Sequence, residues 1–438
     1  MSTHLHDSGQ DLRPDPTRCV TRYFPAGVAG DAVKKTRGGP VVDRILGLPE
    51  AVVVAELAEL DARFAGRHRD LHGVFLDHAH RVHDRLEPGA VLSRARRLLL
   101  GACFTHEYAT EGAALCNPSV VVHPDQSGVG EGDSRFVMSV RSVGEGHFST
   151  IGFRTGLVTT AGTVTVDAPG RFPETISAIG PGDESASGSY RVSFPEHTAL
   201  SERVLWPAAP AEGRGMEDAR FVRFVDDDGD VDYYATYTAY DGYHAAQHLL
   251  HTTDFTTFTA QPLGGRAATG KGLALFPRKI RGRYAALSRA DGETNSIAFT
   301  DDLAAWPDST VIQTPELIWE LIQLGNCGSP IETEHGWLVL THGVRPMRTY
   351  ALGALLLDLD DPRRVLARTT EPILTPGREP QDGYTPHVVY SCGAFAHGDH
   401  LVLPYGRADQ TISLATLSIS ELVTSMATVT VESLEKAA

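Results

Sequence analysis

Two adjacent carboxyls, Glu217 and Asp218, open an otherwise apolar stretch in GRGMEDARF. An acidic pair at the start of a strand is poorly placed for solvent and well placed for a polar cavity. Arg220, two residues on, is a cation within reach of such an acid. A further carboxylate, Glu145, lies in VGEGHFS between Gly144 and Gly146, and glycine on both sides lets the backbone approach a ligand closely. Glu145 reads equally as a polar turn residue. Two carboxyls facing one pocket are what inverting glycoside hydrolysis needs, one to protonate the leaving oxygen and one to activate water, about 6.5–9.5 Å apart.

Cations and hydroxyls recur at matching places. Apolar stretches end in Arg141, in Tyr240 with Asp241, in Arg289, in His342, and in Arg407 with Asp409. One such residue alone reads as a solvated strand end. Five at the same phase point to a shared site, because converging cations need something anionic or sugar-like between them.

The elements that must bring them together repeat five times. Each copy is an apolar strand, a Gly or Asp turn, a second apolar strand with a polar end, and a third strand. The copies open at Pro118, Ala219, Leu275, Ser329 and His387. The last four starts are spaced by about 55 residues, a period at which one unit cannot bury both faces of its own sheet. The fold class read from this pattern is all-β, a five-bladed β-propeller over residues 105–430, with loops of every blade gathered around one end of a central channel. The longer first interval is an insertion over residues 156–215, whose turn signals predict an extra hairpin or loop above that body.

Ahead of the repeats the periodicity changes. Residues 41–104 carry apolar positions three and four apart, predicting a small module of three amphipathic helices broken near Pro49 and near Glu87-Pro88-Gly89. Its apolar stripe offers a surface through which copies of the chain could associate. The histidines there (His68, His72, His78, His80, His83) are irregularly phased among Arg and Asp, as on a solvated helix face, so no metal site is read from them. Residues 1–40 have little periodicity and read as extended or partly disordered. The five cysteines among 438 residues, without metal-ligand spacing, read as small core residues.

Lys and Arg number 39 against 55 Asp and Glu, a net charge of −16, which argues against nucleic acid or an anionic membrane as partner. No apolar run approaches the ~18 residues of a membrane span, and the start is polar, so the cytoplasm is the expected location.

These residues together resemble glycoside hydrolase family 130, enzymes of β-mannosides that include inverting hydrolases and phosphorylases. The resemblance rests on Asn117-Pro118-Ser119, on Glu217-Asp218-Ala219-Arg220 where the family has Glu-Asp-Pro-Arg, on Lys271 in KGLALFP, on Gly328-Ser329-Pro330-Ile331, and on Tyr350. It spans about residues 105–425 in order, and Ala219 in place of proline is its main departure. The resemblance implies that Asp218 is the catalytic acid, delivering its proton indirectly through a sugar hydroxyl. It implies that Asn117, Arg141 and Lys271 hold the sugar beside the scissile bond and that Arg220 orients the acid, while Ser119, Glu217, Tyr240, Asp241 and Asp409, from the motifs and strand ends above, are expected as further substrate contacts. Arg289, His342, Arg348 and Tyr350 lie in segments from which phosphorylases recruit phosphate ligands.

The nucleophile divides the family. A phosphorylase must hold a dianion beside the anomeric carbon and needs two or three cations there, whereas a hydrolase needs a carboxylate. Family phosphorylases carry an arginine after the second strand of the first blade; here that loop is GEGHFS, with Glu145 and His147. The expectation is therefore a hydrolase releasing mannose from β-mannosides, β-1,2-linked in keeping with the family, with Glu145 as base, His147 beside the substrate and no cofactor. The alternative is a β-mannoside phosphorylase using inorganic phosphate as co-substrate to form mannose 1-phosphate. A non-catalytic sugar-binding propeller is a remote third reading, since the acidic motif with its oriented cation is more than binding requires.

Overall fold

A computed structural model of the chain describes residues 5–25, 38–86, 91–176, 178–182, 188–377 and 383–429. Two compact units result, one of residues 1–14, 111–170 and 174–438, the other of residues 15–110 and 171–173.

In the larger unit every repeat is an antiparallel meander, as strand-length apolar runs separated by Gly and Asp turns dictate. The first is Ala114–Val122, Ser134–Val143, Ser149–Val158 and Val164–Val166. The second is Gly215–Val225, Val231–Tyr240, Ala245–Thr252 and Thr257–Pro262. The third runs Ala274–Leu275, Tyr284–Ser288, Asn295–Thr300 and Ser309–Gln313. In the fourth, Gly336–Arg345 pairs with Gln323–Asn326, with Ile331–Thr333 and with Thr349–Leu357, and Val365–Arg368 follows. The fifth sets His400–Arg407 between the short strands Val389–Tyr390 and Phe395–His397 and the strand Thr411–Ser418. Its outer strand comes from the other end of the chain: His6–Leu12 pairs antiparallel with Thr411–Ser418.

Alternation gives every meander two apolar faces, and both are covered. Phe153 of the first repeat packs with Phe221 and Phe258 of the second; Leu249 of the second with Leu275 and Trp306 of the third; Phe276 and Leu287 with Trp337 and Leu355 of the fourth; Leu340 and Leu352 with Leu403 and Leu417 of the fifth. Leu414 and Phe395 then pack with Val120 and Met138 of the first, so the series of interfaces closes on itself. Trp337 is fully buried, edge-on to Phe276 with centroids 5.1 Å apart; truncating such a residue to alanine costs about 3–5 kcal/mol.

The insertion supplies an antiparallel strand pair, as the hairpin alternative expects, but sets it at a sheet edge rather than above the body. Tyr190–Ser193 pairs with Thr257–Pro262 and Ala178–Pro181 pairs beyond it, extending the outer edge of the second meander. Arg203–Leu205 pairs with Ser149–Val158. The alternating runs in this segment carry unmet backbone donors and acceptors, and a sheet edge satisfies them where a loop would not.

Among the described residues the smaller unit contains four α-helices rather than three: Gly38–Leu46, Glu50–Phe64, Leu71–Arg81 and Arg94–Cys103. Asp70 and Ser93 cap two of them, accepting from the amides of Gly73 and Arg96, which is why those helices begin there. The break expected at Glu87-Pro88-Gly89 lies outside the described residues. The apolar stripes meet in one core of Val42, Val53, Leu57, Phe75, Leu99 and Phe104. Cys19–Tyr23 pairs with Thr105–Ala109. Within the segment read as extended or partly disordered, residues 6–12 and 19–23 are thus paired strands. His68, His72 and His78 each pair with a nearby Glu107, Asp61 or Thr105 side chain. Of the cysteines, Cys103 is exposed and the other four are buried. Among the described residues no helix is long and apolar enough to cross a membrane.

Candidate active site

The first strand of a repeat breaks its ladder at the same place again and again. In the first repeat Cys116 pairs with Arg141 and Ser119 with Ser139, so Asn117 and Pro118 together oppose one residue. In the second, Glu217 pairs with Thr238 and Arg220 with Thr236, so Asp218 and Ala219 together oppose Tyr237. The ladders of the fourth and fifth repeats lapse after Asn326 and after Tyr390. Such bulges turn a side chain out of the sheet. Asn117 and Asp218 take positive φ there, 49° and 56°, a region that Asn and Asp tolerate better than most residues.

A cavity of about 220 Å³ lies at these breaks, lined by Asn117, Arg141, Asp218, Arg220, Lys271, Arg289, His342, Arg348, Tyr350, Val388, Tyr390 and Asp409. All five repeats contribute to it. Ten of those twelve residues are ones that the sequence singles out.

Asp218 is the hub of one side. Its Oδ1 accepts from Asn117 Nδ2 at 2.6 Å and from Arg141 Nη1 at 3.2 Å. Its backbone carbonyl accepts from Arg220 Nη1 at 2.9 Å. Arg220 is anchored in turn by the Cys327 carbonyl and the Tyr390 hydroxyl. Glu217, just beneath, accepts from Arg141 Nη2 at 2.6 Å and from Lys271 Nζ at 3.0 Å. Burial pushes the Asp218 carboxyl up, but Arg141, Lys271 and Arg220 outweigh it and hold the group below the usual carboxylate range. Asp409, whose carboxylate accepts from Thr385 Oγ1, is shifted the other way: burial raises it, and Asp218 adds like charge.

The other side holds cations and few partners. Arg289 and Arg348 form no ion pair among the described residues. Arg289 Nε and both ring nitrogens of His342 are buried without a hydrogen-bond partner. His342 packs against the Tyr350 and Tyr390 rings, which also touch each other, and burial followed by the positive charge of Arg289 and Arg220 keeps it well below the ordinary imidazole range. Gly325 lets these groups crowd the backbone, since a Cβ there would stand 2.5 Å from Arg289 Nε and 2.8 Å from His342 Cε1. Buried polar nitrogens of this kind are uncommon in folded proteins, and an ordered water or a bound anion beside them would account for their presence here.

The remaining expected contacts have other partners. Ser119 is fully buried and its Oγ accepts from the Phe221 amide. Tyr240 donates to the Gly242 carbonyl, and Asp241 accepts from the Tyr243 and His244 amides, building a turn. Glu145 and His147 occupy the exposed turn Glu145–His147, outside the cavity lining, with the His147 ring 4.9 Å from that of Tyr384. Glycines beside Glu145 fit that turn, where Gly146 has φ 69°. Val388 and Tyr390 are the lining residues that sequence reasoning missed; the signal for Tyr390 is its place beside Ser391-Cys392-Gly393, where the fifth repeat breaks as the first does at Asn117.

A buried acid ringed by basic side chains, in a polar cavity at the seam of repeated β-meanders, suits acid catalysis on a polar substrate such as a sugar. Comparison with known proteins agrees. Residues 182–428 match the model of a family described as beta-1,4-mannooligosaccharide phosphorylase, glycoside hydrolase family 130. A 1,2-beta-oligomannan phosphorylase of a Thermoanaerobacter species is 36% identical over 228 residues, 51% of this chain and 75% of the relative. A beta-1,2-mannobiose phosphorylase of Listeria innocua is 34% identical over 237 residues, 52% of this chain and 64% of the relative. The solved beta-1,2-mannobiose phosphorylase from Listeria innocua, in complex with beta-1,2-mannobiose, superposes with a TM-score of 0.51 at 24% identity, covering 73% of this chain and 93% of that one. The chain belongs to glycoside hydrolase family 130, and it is an enzyme.

Proposed function

We propose that the larger unit is a five-bladed β-propeller that cleaves β-mannosides, β-1,2-linked ones first, by inverting phosphorolysis. The ring of apolar interfaces from first repeat to fifth and back supports the blade count. The two relatives described above act, by their names, on β-1,2-linked mannosides, whereas the family model is described by a β-1,4 linkage. The observation that carries the choice of nucleophile is the convergence of Arg289, Arg348 and His342 on one cavity, where neither arginine has an ion-pair partner among the described residues. A phosphate dianion is their chemical complement. A water molecule does not answer two arginines, and Glu145, the base expected for a hydrolase, lies outside the cavity lining.

In this reading a phosphate oxygen bonds to the anomeric carbon from the face opposite the aglycone. The glycosidic bond breaks, and the departing oxygen receives the proton that Asp218 supplies. The products are α-mannose 1-phosphate and the shortened sugar. Asn117 and Arg141 position both the acid and the sugar. Resting Asp218 is a carboxylate in the field of Arg141, Lys271 and Arg220. A dianion entering the same cavity opposes that field, which raises the proton affinity of Asp218 toward the value an acid needs.

The test is incubation with β-1,2-mannobiose, with and without inorganic phosphate. Mannose 1-phosphate that forms only with phosphate is the expected result. Free mannose in phosphate-free buffer, in α form at first, would overturn it in favour of hydrolysis.

A further inference from the structure

Asp218 sits in a strained position, and something must hold it there. A non-glycine residue at φ 56° carries a cost of about 1 kcal/mol or more, which persists only where the surroundings over-determine it. Bulge geometry alone leaves the approach to Asp218 loose, because residues 206–214 that lead into it lie outside the meander.

That approach is pinned by one buried carboxylate. Glu212 is fully buried, and among the described residues no arginine or lysine partners its oxygens. Its Oε2 accepts from the Ala208 and Ala209 amides at 2.8 and 3.1 Å. Its Oε1 accepts from the Tyr190 hydroxyl at 2.7 Å and from the Tyr237 hydroxyl. Tyr190 belongs to the inserted strand that widens the second meander. Tyr237 is the residue opposite the Asp218–Ala219 bulge, and His248 Nδ1 lies 3.3 Å from its hydroxyl. Three residues beyond Glu212, Gly215 bridges Ser149, so closely that a Cβ on it would stand 2.8 Å from Ser149. Ser149 Oγ in turn accepts from Arg141 Nε at 3.0 Å.

We propose that Glu212 is a positioning residue for Asp218: through Tyr237 across the bulge, and through the 208–215 segment leading into it, Glu212 holds the acid at its left-handed backbone position. The proposal rests on the reading of Asp218 as the proton donor. Four hydrogen bonds to one carboxyl also meet its need for partners in the interior without a cation.

The experiment uses the full chain with Glu212→Gln, Tyr237→Phe, Asp218→Asn and the double variant Glu212→Gln/Asp218→Asn. In phosphate with β-1,2-mannobiose, Glu212→Gln and Tyr237→Phe are expected to lower kcat by about 10- to 100-fold, the effect of displacing a reacting group by about an ångström. KM for both substrates should stay within about threefold, the pattern of an interaction lost only at the transition state. In the Asp218→Asn background Glu212→Gln should add no further loss. Hydrogen exchange of the amides in residues 215–219, which needs no substrate, should quicken by about tenfold or more while the other strands keep their protection. Equal fold-losses with and without Asp218, or unchanged exchange at 215–219, would overturn the proposal. Should Glu212→Gln fail to fold, Tyr237→Phe keeps ring and volume and answers in its place. Wild-type inactivity on mannobiose would sink the phosphorylase reading and leave the exchange measurement to decide the positioning role.

Discussion

Asn117 and Asp218 stand 101 positions apart in the chain, yet they occupy the same bulge of consecutive repeats, and the amide of one donates to the carboxylate of the other at 2.6 Å. Two copies of one backbone irregularity thereby make one chemical unit. The bulge turns each short side chain off the sheet, and the packing of the first meander on the second aims the two at each other.

Asp218→Asn should reduce formation of mannose 1-phosphate by about 10²-fold or more while preserving the fold, because it keeps shape and removes the transferable proton. Phosphorolysis rates with unchanged far-ultraviolet circular dichroism would check it. Near-normal turnover on an unactivated mannoside would refute the assignment.

Arg348→Ala and His342→Ala should weaken phosphate binding by about 10- to 100-fold each, the worth of a charge-assisted hydrogen bond of about 1.5–3 kcal/mol. Inorganic phosphate should raise the Tm of the wild type and raise it little in either variant. A wild type indifferent to phosphate would count against the anion site.

Stability should carry the mark of His342. Buried beside Arg289 and Arg220, its folded pKa lies well below the unfolded value near 6.5. Between the two values the unfolded chain binds more protons, so stability present above about pH 6.5 is lost as pH falls through that interval. Chemical denaturation at pH 7.5 and 5.5 should show a larger loss for the wild type than for His342→Gln. Parallel losses would mean that other groups dominate.

Glu145→Gln separates the two nucleophiles. With phosphate attacking, turnover should change by less than about threefold, as for a surface turn residue. With water attacking and Glu145 as base, the same change should abolish mannose release, so a dead variant would restore the hydrolase reading.

Much of the site is legible in the sequence. Ten of the twelve lining residues follow from matching strand phases and from the motifs around Asn117, Asp218 and Lys271. Glu145 and His147 fall outside the lining, because a carboxylate between glycines serves an exposed turn as well as a pocket. Tyr240 and Asp241 sit at the right phase of their strand, yet the Gly242–His244 turn takes their polar groups. Glu212 gives no sequence signal, since its partners Tyr190 and Tyr237 lie 22 and 25 positions away.

By itself the sequence determined the repeats, the helical segment before them, the buried acid and the cations near it. Hydrophobic periodicity and turn chemistry act over a few residues, and they read the same in any context. Only the tertiary structure decided that His6–Leu12 completes the last meander, that the insertion widens the second, and that Arg289 and His342 line the cavity while Glu145 does not. Those outcomes depend on which distant backbone or side chain meets each donor, and hydrogen bonds between residues a hundred or more positions apart leave no periodic trace in the chain.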